Sequence, residues 1–173
     1  MKFTEGELEF DFGDVIDVFK FDEKNSSAPN YHGLSHCMKG VDFIVEQPNV
    51  YFFVEIKDPS HSGASPERKI EFEEKALSGS LIKDLVQKYR DTFLYRWAEN
   101  KLEKPIIYIC LVTLESPLIP RLMEELRRQL PEGEDGPNWQ HSIVKSAMIV
   151  NLDQWNKNFG SVAKVYRAHK NRS

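Results

Sequence analysis

The chain of 173 residues is long enough to bury one full hydrophobic core and too short for two. Its 40% apolar and 29% charged residues are typical of a soluble globular protein. No apolar run approaches the length that crosses a bilayer, so we expect no membrane partner. The acidic segment 1–7 lacks the apolar stretch of a secretory signal, and two cysteines are too few for a disulfide framework. Both features favour a cytoplasmic location.

The net charge of −4 is unevenly distributed along the chain. Residues 1–60 hold 12 acidic and 5 basic side chains, whereas the tail 153–173 holds one acidic and five basic ones. A carboxylate-rich catalytic end with basic flanks has this pattern, because basic flanks meet phosphates, but so do ordinary domains with a basic tail. The charge pattern therefore permits nucleic-acid binding without indicating it. From Lys164 onward we expect a frayed tail or a weak nucleic-acid contact.

The first clear element is a β-hairpin. Residues 8–21 are ambiguous between strands and a short helix, and residues 22–39 have the composition of a loop. Residues 41–45 and 50–57 are β-branched and aromatic runs on either side of the turn-forming segment 46–49. The second run is apolar on both faces until its last residues, which predicts a central strand.

Helices and buried strands alternate in the rest of the chain. A helical region is predicted over 65–102, with a kink at 78–80, followed by a buried strand at 106–114. A helix over 118–130 and a strand at 143–150 complete the pattern. One stripe of the first helical region predicts six core residues: Ile82, Leu85, Val86, Tyr89, Phe93 and Trp97.

This order predicts an α/β fold with one mixed central β-sheet flanked by helices. The strand ending at Lys57 and the strand starting at Ile106 are expected to run parallel, joined by a right-handed helical crossover.

The pattern that carries chemistry is Glu55-Ile56-Lys57. Glu-x-Lys occurs three more times, starting at Glu67, Glu73 and Glu99, in charge-rich helical segments where a solvated face is the ordinary explanation. Only the copy at Glu55 ends a strand that is otherwise apolar on both faces. There Glu55 and Lys57 point to the same side of the strand, and burying them is costly unless they are paired or bind an ion.

The partner strand of the hairpin adds Asp42. A four-residue loop at 46–49 would place Asp42 opposite Phe53 and diagonal to Glu55, on one face of the hairpin. A three-residue loop would place Asp42 opposite Val54, on the other face. A shared site for the two carboxylates therefore requires an even loop or a bulge.

Two neighbouring carboxylates repel each other and favour a cation between them. Hard oxygen ligands suit Mg²⁺ (or Mn²⁺), which keeps several waters and takes substrate phosphate oxygens. Beside such an ion, Lys57 could orient or deprotonate a water and stabilise charge that develops on phosphorus.

Residues 39–45 (KGVDFIV) and 53–58 (FVEIKD) resemble the core motif of the PD-(D/E)XK nuclease superfamily, which has the restriction-endonuclease-like fold. The twelve-residue gap between Asp42 and Glu55 lies in the range that the family uses, and the resemblance covers about residues 40–114. We expect residues 1–173 to form one such domain. Val41 stands where the motif's name has proline. The Gln-x-x-x-Tyr helix signature of one subgroup is absent from the sequence, because Asp91 follows Gln87 at the fourth position.

The resemblance implies a Mg²⁺-dependent hydrolase of nucleic-acid phosphodiester bonds, with DNA as the expected substrate. By position, Asp42, Glu55 and the backbone carbonyl of Ile56 would bind the metal, and Lys57 would activate water, so that Asp42, Glu55 and Lys57 form the catalytic set. The family often adds an acidic residue from the first element, here Glu7 or Glu9. Homodimers are common among such enzymes that cut both strands, although the sequence itself indicates no interface.

Two other classes of function stay open. One is a restriction-endonuclease-like module that binds nucleic acid or a protein without cleavage. The other is a small α/β interaction domain in which Glu55 and Lys57 form a structural ion pair.

Other polar residues have weaker interpretations. His32 and His36 have a zinc-ligand spacing only on a helix, and the loop composition around Gly33 argues against one. His36 is a candidate phosphate contact instead, and His61 is expected to be exposed. Three residues of the helix beside the site are candidate nucleic-acid contacts, although a solvated helix surface is the default: Lys83, Lys88 and Arg90.

Overall fold

A computed structural model describes residues 1–60, 65–113, 117–133 and 136–168. His61 and the end of the predicted strand at Leu114 lie outside these ranges. The strands are β1 (Lys2–Glu5), β2 (Leu8–Phe12), β3 (Asp17–Lys20), β4 (Phe43–Gln47), β5 (Val50–Lys57), β6 (Ile106–Val112), β7 (Ser146–Val150) and β8 (Ala163–Arg167). The helices are α1 (Pro66–Leu77), α2 (Ser80–Ala98), α3 (Ile119–Gln129) and α4 (Leu152–Phe159). Across the described residues, no helix combines the length and the apolar composition that a membrane crossing needs.

The predicted α/β class and the mixed central sheet are confirmed. Five strands lie in the order β3-β4-β5-β6-β7, with antiparallel pairing from β3 to β5 and parallel pairing from β5 to β7. The expected parallel pair β5 and β6 aligns Glu55 with Cys110. β5 is the middle strand, as its apolar residues on both faces predict.

The hairpin turn is shorter than predicted. Gln47 pairs with Val50, so the turn consists of Pro48 and Asn49 alone, two residues rather than four. Pairing continues to the edge of the turn, and Pro and Asn both suit turn positions. Because Phe43 pairs with Val54, Asp42 comes level with Glu55 rather than with Phe53. The loop length is still even, so the face predicted for Asp42 is unchanged.

A second sheet was not predicted. The ambiguous segment 8–21 contributes strands β2 and β3, and β2 pairs antiparallel with both β1 and β8 in a three-stranded sheet. The expectation of a frayed tail from Lys164 is wrong for β8, in which Ala163 and Val165 are buried. The alternation of these apolar residues with Lys164 and Tyr166 has the period of two that a half-buried strand requires.

The five-stranded sheet is covered on both faces. On one face, α1, α2 and α3 pack against Ile44, Phe53 and Tyr108. On the other, the small sheet and α4 pack a second cluster that includes Phe10 and Trp155. The covering of both faces gives the site a rigid floor of buried strands.

The predicted kink at 78–80 is a complete break between helices. α1 ends at Leu77, and α2 begins after Gly79, whose φ of 77° is in the left-handed region that favours glycine. The core prediction for Trp97 is wrong, since this side chain is 65% exposed. In the last turn of α2 the buried position belongs to Arg96, whose guanidinium lies 5.4 Å from the ring centre of Phe19.

Thr92 joins α2 to the chain just before Asp42. Its hydroxyl accepts a hydrogen bond from the Val41 N–H at 3.0 Å and donates to the Lys88 carbonyl at 2.8 Å, and the residue is fully buried. We predict that Thr92→Val lowers the free energy of unfolding by about 1–3 kcal/mol, because the Val41 N–H loses its partner inside the protein. Thr92→Ser keeps the hydroxyl and is expected to lose less. Urea unfolding curves of both variants measure the difference, and equal midpoints for Thr92→Val and the wild type would contradict it.

Candidate active site

Asp42 and Glu55 lie side by side where β4 begins and β5 approaches its end. Asp42 is 8% exposed and Glu55 is 1% exposed. Asp42 Oδ2 accepts a hydrogen bond from the Ile56 N–H at 2.7 Å, and the Asp42 carbonyl accepts one from the Phe21 N–H at 2.9 Å. The backbone of two neighbouring strands therefore fixes the Asp42 carboxylate beside Glu55, as the even turn predicts.

Two lysines neutralise Glu55. Lys88 Nζ lies 2.8 Å from Glu55 Oε1 and 2.9 Å from Oε2, and Lys57 Nζ lies 3.0 Å from Oε1. Lys57 also contacts Asp84 at 3.2 Å, and Asp84 contacts Lys39 at 2.8 Å. The ionic network therefore runs from the buried Glu55 outward through Lys57 to the surface of α2.

Lys88 was expected on a helix surface as a candidate nucleic-acid contact, but it points into the protein with a side chain only 14% exposed. The burial of Lys88 is indicated by its position in the sequence. Lys88 shares a helical stripe with the buried residues Leu81, Leu85 and Thr92, at spacings of three, four and seven residues. A lysine on the edge of a buried stripe needs an anion, and Glu55 supplies it.

The two carboxylates are unequally compensated. Burial, followed by the negative charge of Glu55, raises the pKa of Asp42 to about 7, although Lys88 and the Ile56 N–H oppose the shift. Burial lowers the pKa of Lys57, but the carboxylates of Glu55 and Asp84 more than offset this and hold the pKa above its ordinary value. Asp42 is thus the anion that lacks a matched cation.

A polar cavity of about 290 Å³ opens beside this pair. Its lining contains both predicted carboxylates, Ile56 and the two lysines, together with acidic and basic residues from the N-terminal third of the chain: Glu5, Lys20, Asp22, Glu23 and Lys24. The acidic residue that the first element contributes to the lining is Glu5 of β1, whose carboxylate lies 2.7 Å from Lys20 Nζ.

The expectation of Glu7 or Glu9 at the cavity is wrong. Glu7 lies 3.8 Å from Arg167, and Glu9 pairs across the small sheet with Tyr166. Which acid reaches the cavity depends on how the small sheet sits beside β3, a non-local contact that local periodicity does not encode.

The remaining predicted residues lie outside the cavity. His36 is exposed and does not line it. Arg90 donates to the Gln129 carbonyl at 3.1 Å, so it joins α2 to the end of α3. Lys83 lines a neighbouring groove. His32 stacks on Phe21 with ring centres 5.2 Å apart. Residues 32–36 form no helix, so His32 and His36 lack the helical spacing of a zinc pair.

The donor set suits a hard cation that takes few protein ligands. Among the described residues, no group of three or more His, Cys, Asp and Glu side chains is arranged to hold a metal. The site offers two carboxylates, and Ile56 adds the backbone carbonyl that directly follows Glu55 in the sequence. Mg²⁺ accepts such a set because it keeps several waters, whereas structural zinc requires four protein ligands. The uncompensated charge of Asp42 is the feature that a bound cation would relieve.

Comparison of the chain with protein-family models, with curated proteins and with solved structures gave no match. The chemistry of the site has to be inferred from its own side chains.

Asp42 makes stability depend on pH. Its pKa is 3.8 in the unfolded chain and about 7 in the folded protein. Between these values only the folded state holds the proton, so stability falls as the pH rises from about 4 to about 7 and stays low above that. We predict that Asp42→Asn, which keeps an oxygen for the Ile56 N–H, is more stable than the wild type by about 2–4 kcal/mol at pH 8.

The gain is expected to vanish below pH 4, because both proteins are then uncharged at this position. Urea unfolding with chelator across pH 4–8 measures it, with the exposed residue Asp153 changed to Asn as the control. A constant difference between Asp42→Asn and the wild type at all pH values would contradict the charge argument.

Proposed function

We propose that the chain is a metal-dependent nuclease that hydrolyses phosphodiester bonds of nucleic acid, with DNA as the expected substrate, on a restriction-endonuclease-like fold. The observation that carries the proposal is the juxtaposition of Asp42, Glu55 and Lys57. Two carboxylates from neighbouring strands share one polar cavity, and a lysine ammonium lies 3.0 Å from the more buried carboxylate.

The order of elements supports the proposal. An antiparallel hairpin carries the three residues, a helical segment follows it, and the next strand returns parallel to β5. This is the common core that the resemblance of residues 40–114 implies. The three-stranded sheet and α4 add to that core. Of these two, only the sheet reaches the described lining of the cavity, through Glu5 of β1.

Each residue has a definite task in the proposed reaction. Asp42, Glu55 and the Ile56 carbonyl would hold Mg²⁺ or Mn²⁺, and the ion supplies Lewis acidity that activates water and stabilises negative charge on the phosphoryl oxygens. Asp84 holds Lys57, which lines the cavity, by a 3.2 Å contact. There the ammonium can orient an incoming water and balance the charge that develops on phosphorus.

A second candidate function is a module that binds nucleic acid or a protein without cleavage. It is favoured by Lys88, which bonds both oxygens of Glu55 and so competes with a metal for the same ligand atoms. The two functions differ in whether a divalent cation displaces this lysine.

Cleavage assays test the nuclease directly. We expect purified protein to cut plasmid and linear DNA with Mg²⁺ or Mn²⁺ and not with chelator. Lys57→Ala is expected to abolish cutting while the circular dichroism and unfolding midpoint remain those of a folded protein. Lys69→Ala, an exposed change on α1, is the matched control. Metal-dependent cutting that survives Lys57→Ala would contradict the assigned role of the lysine.

Metal competition at Glu55 provides a test that does not require activity. Lys88→Met removes one partner of a buried ion pair, so we predict a loss of about 3 kcal/mol of stability in chelator. Mn²⁺ should then raise the melting temperature of Lys88→Met more than that of the wild type, because Glu55 no longer shares its oxygens with Lys88.

Lys83→Met, a change on the exposed face of the same helix, is the control and should respond to Mn²⁺ as the wild type does. Absence of any response to Mn²⁺ in all three proteins would favour the binding module over the nuclease.

A further inference from the structure

A groove of about 740 Å³ lies between α1, α2 and the segment after β5. It is distinct from the carboxylate cavity, although it adjoins it. Its described lining contains five basic side chains: Lys39, Lys57, Arg68, Lys75 and Lys83. This concentration stands out in a chain whose net charge is −4.

The acidic residues of the groove do not cancel this positive charge. Three acids line it, and each is ion-paired at 2.7–3.2 Å: Asp58 with Arg167, Glu71 with Lys75, and Asp84 with Lys39 and Lys57. Because Arg167 lies outside the lining, its ion pair with Asp58 neutralises none of the groove's own cations. Basic side chains therefore outnumber acidic ones in the lining, and the potential there attracts anions.

Lys57 connects the groove to the candidate active site, since it lines both. The groove lining therefore holds four further cations besides the lysine that also borders the carboxylate cavity. A ligand with several anionic groups, such as a phosphodiester chain, can contact more of these five cations than a single carboxylate can. The groove volume is in the range of about 300–1000 Å³ that takes a drug-sized ligand, which corresponds to a short stretch of strand.

We propose that the groove between α1 and α2 binds the sugar-phosphate backbone of the nucleic-acid strand next to the bond at Asp42 and Glu55. The inference rests on the proposed function, since it extends the same substrate past the same lysine. Contacts to phosphate carry no sequence information, so the groove positions the strand without selecting its sequence.

Lys83 gives the sharpest test because its side chain is exposed on α2 and lies in the groove lining. Fluorescence anisotropy with a labelled twelve-nucleotide oligothymidylate, in chelator and at low salt, measures binding without cleavage. Lys83→Glu is expected to weaken binding about tenfold and to reduce the slope of log affinity against log salt by at least about 0.7, the value for one lost phosphate contact on a single strand.

Two controls make the same change of charge elsewhere. Lys157→Glu lies on α4, which packs on the other face of the five-stranded sheet. Lys69→Glu is adjacent to Arg68 in sequence but is not part of the groove lining, so Arg68→Glu and Lys69→Glu form a matched pair on one helix. We expect both controls to bind within about twofold of the wild type and Arg68→Glu to bind more weakly.

Weaker binding in the groove variants than in their controls supports the proposal. Equal loss in Lys83→Glu and Lys157→Glu, or no binding by the wild type, overturns it. Binding that depends on the groove, without metal-dependent cutting, would contradict the nuclease proposal and support the groove proposal. If the wild type cuts DNA but the groove variants bind it normally, the groove proposal is overturned and the nuclease proposal stands.

Discussion

The carboxylate of Glu55, 1% exposed at the end of a central strand, constrains the rest of this site. An unpaired charge at that depth is too costly to retain, so Lys88 must come inward from α2 and Lys57 must lie along the same strand face. Both ammoniums then bond Glu55, which leaves Asp42 with the Ile56 N–H as its nearest donor. Burial and the nearby charge of Glu55 then raise the proton affinity of Asp42, the carboxylate whose charge is less well balanced.

The geometry of the two carboxylates depends on contacts made by the backbone. Asp42 precedes β4, and its position is fixed at three points: its carbonyl by Phe21, its carboxylate by Ile56, and the preceding Val41 by Thr92 of α2. Side chains fixed by neighbouring strands and a packed helix keep their separation better than side chains on a loop. The site is therefore largely preformed, and only Lys88 and Lys57 have to move if a cation binds between Asp42 and Glu55.

Local patterns of sequence were sufficient for the hairpin, the parallel partner strand and the face of Asp42. The turn length was wrong by two residues, but only its parity decides which face a side chain occupies. The small sheet was missed because β2 pairs with β8, more than 150 residues away, and no local signal encodes such a pairing. Glu5 was missed at the cavity for the same reason. The burial of Lys88 was missed because a charged side chain on a helix ordinarily lies at the surface. The core prediction for Trp97 was wrong because the whole side chain of Arg96 takes the buried position in that turn, with its guanidinium beside the ring of Phe19.

The buried charges themselves bear on whether the site is structural or chemical. Replacing a buried ion pair by apolar residues of similar volume is often neutral or stabilising, so packing alone does not call for Asp42, Glu55, Lys57 and Lys88 at one point. A structural pair would also be complete with Glu55 and one lysine, whereas Asp42 adds a second buried carboxylate. Its burial, together with the charge of Glu55, raises the pKa of Asp42 to about 7. The proposed metal-dependent hydrolysis of phosphodiesters would use both features, since the carboxylates would hold a cation and the ammonium would face the phosphate. Lys57 borders both the cavity and the basic groove, so under the proposed function this one side chain would link the site of the reaction to the path of the strand.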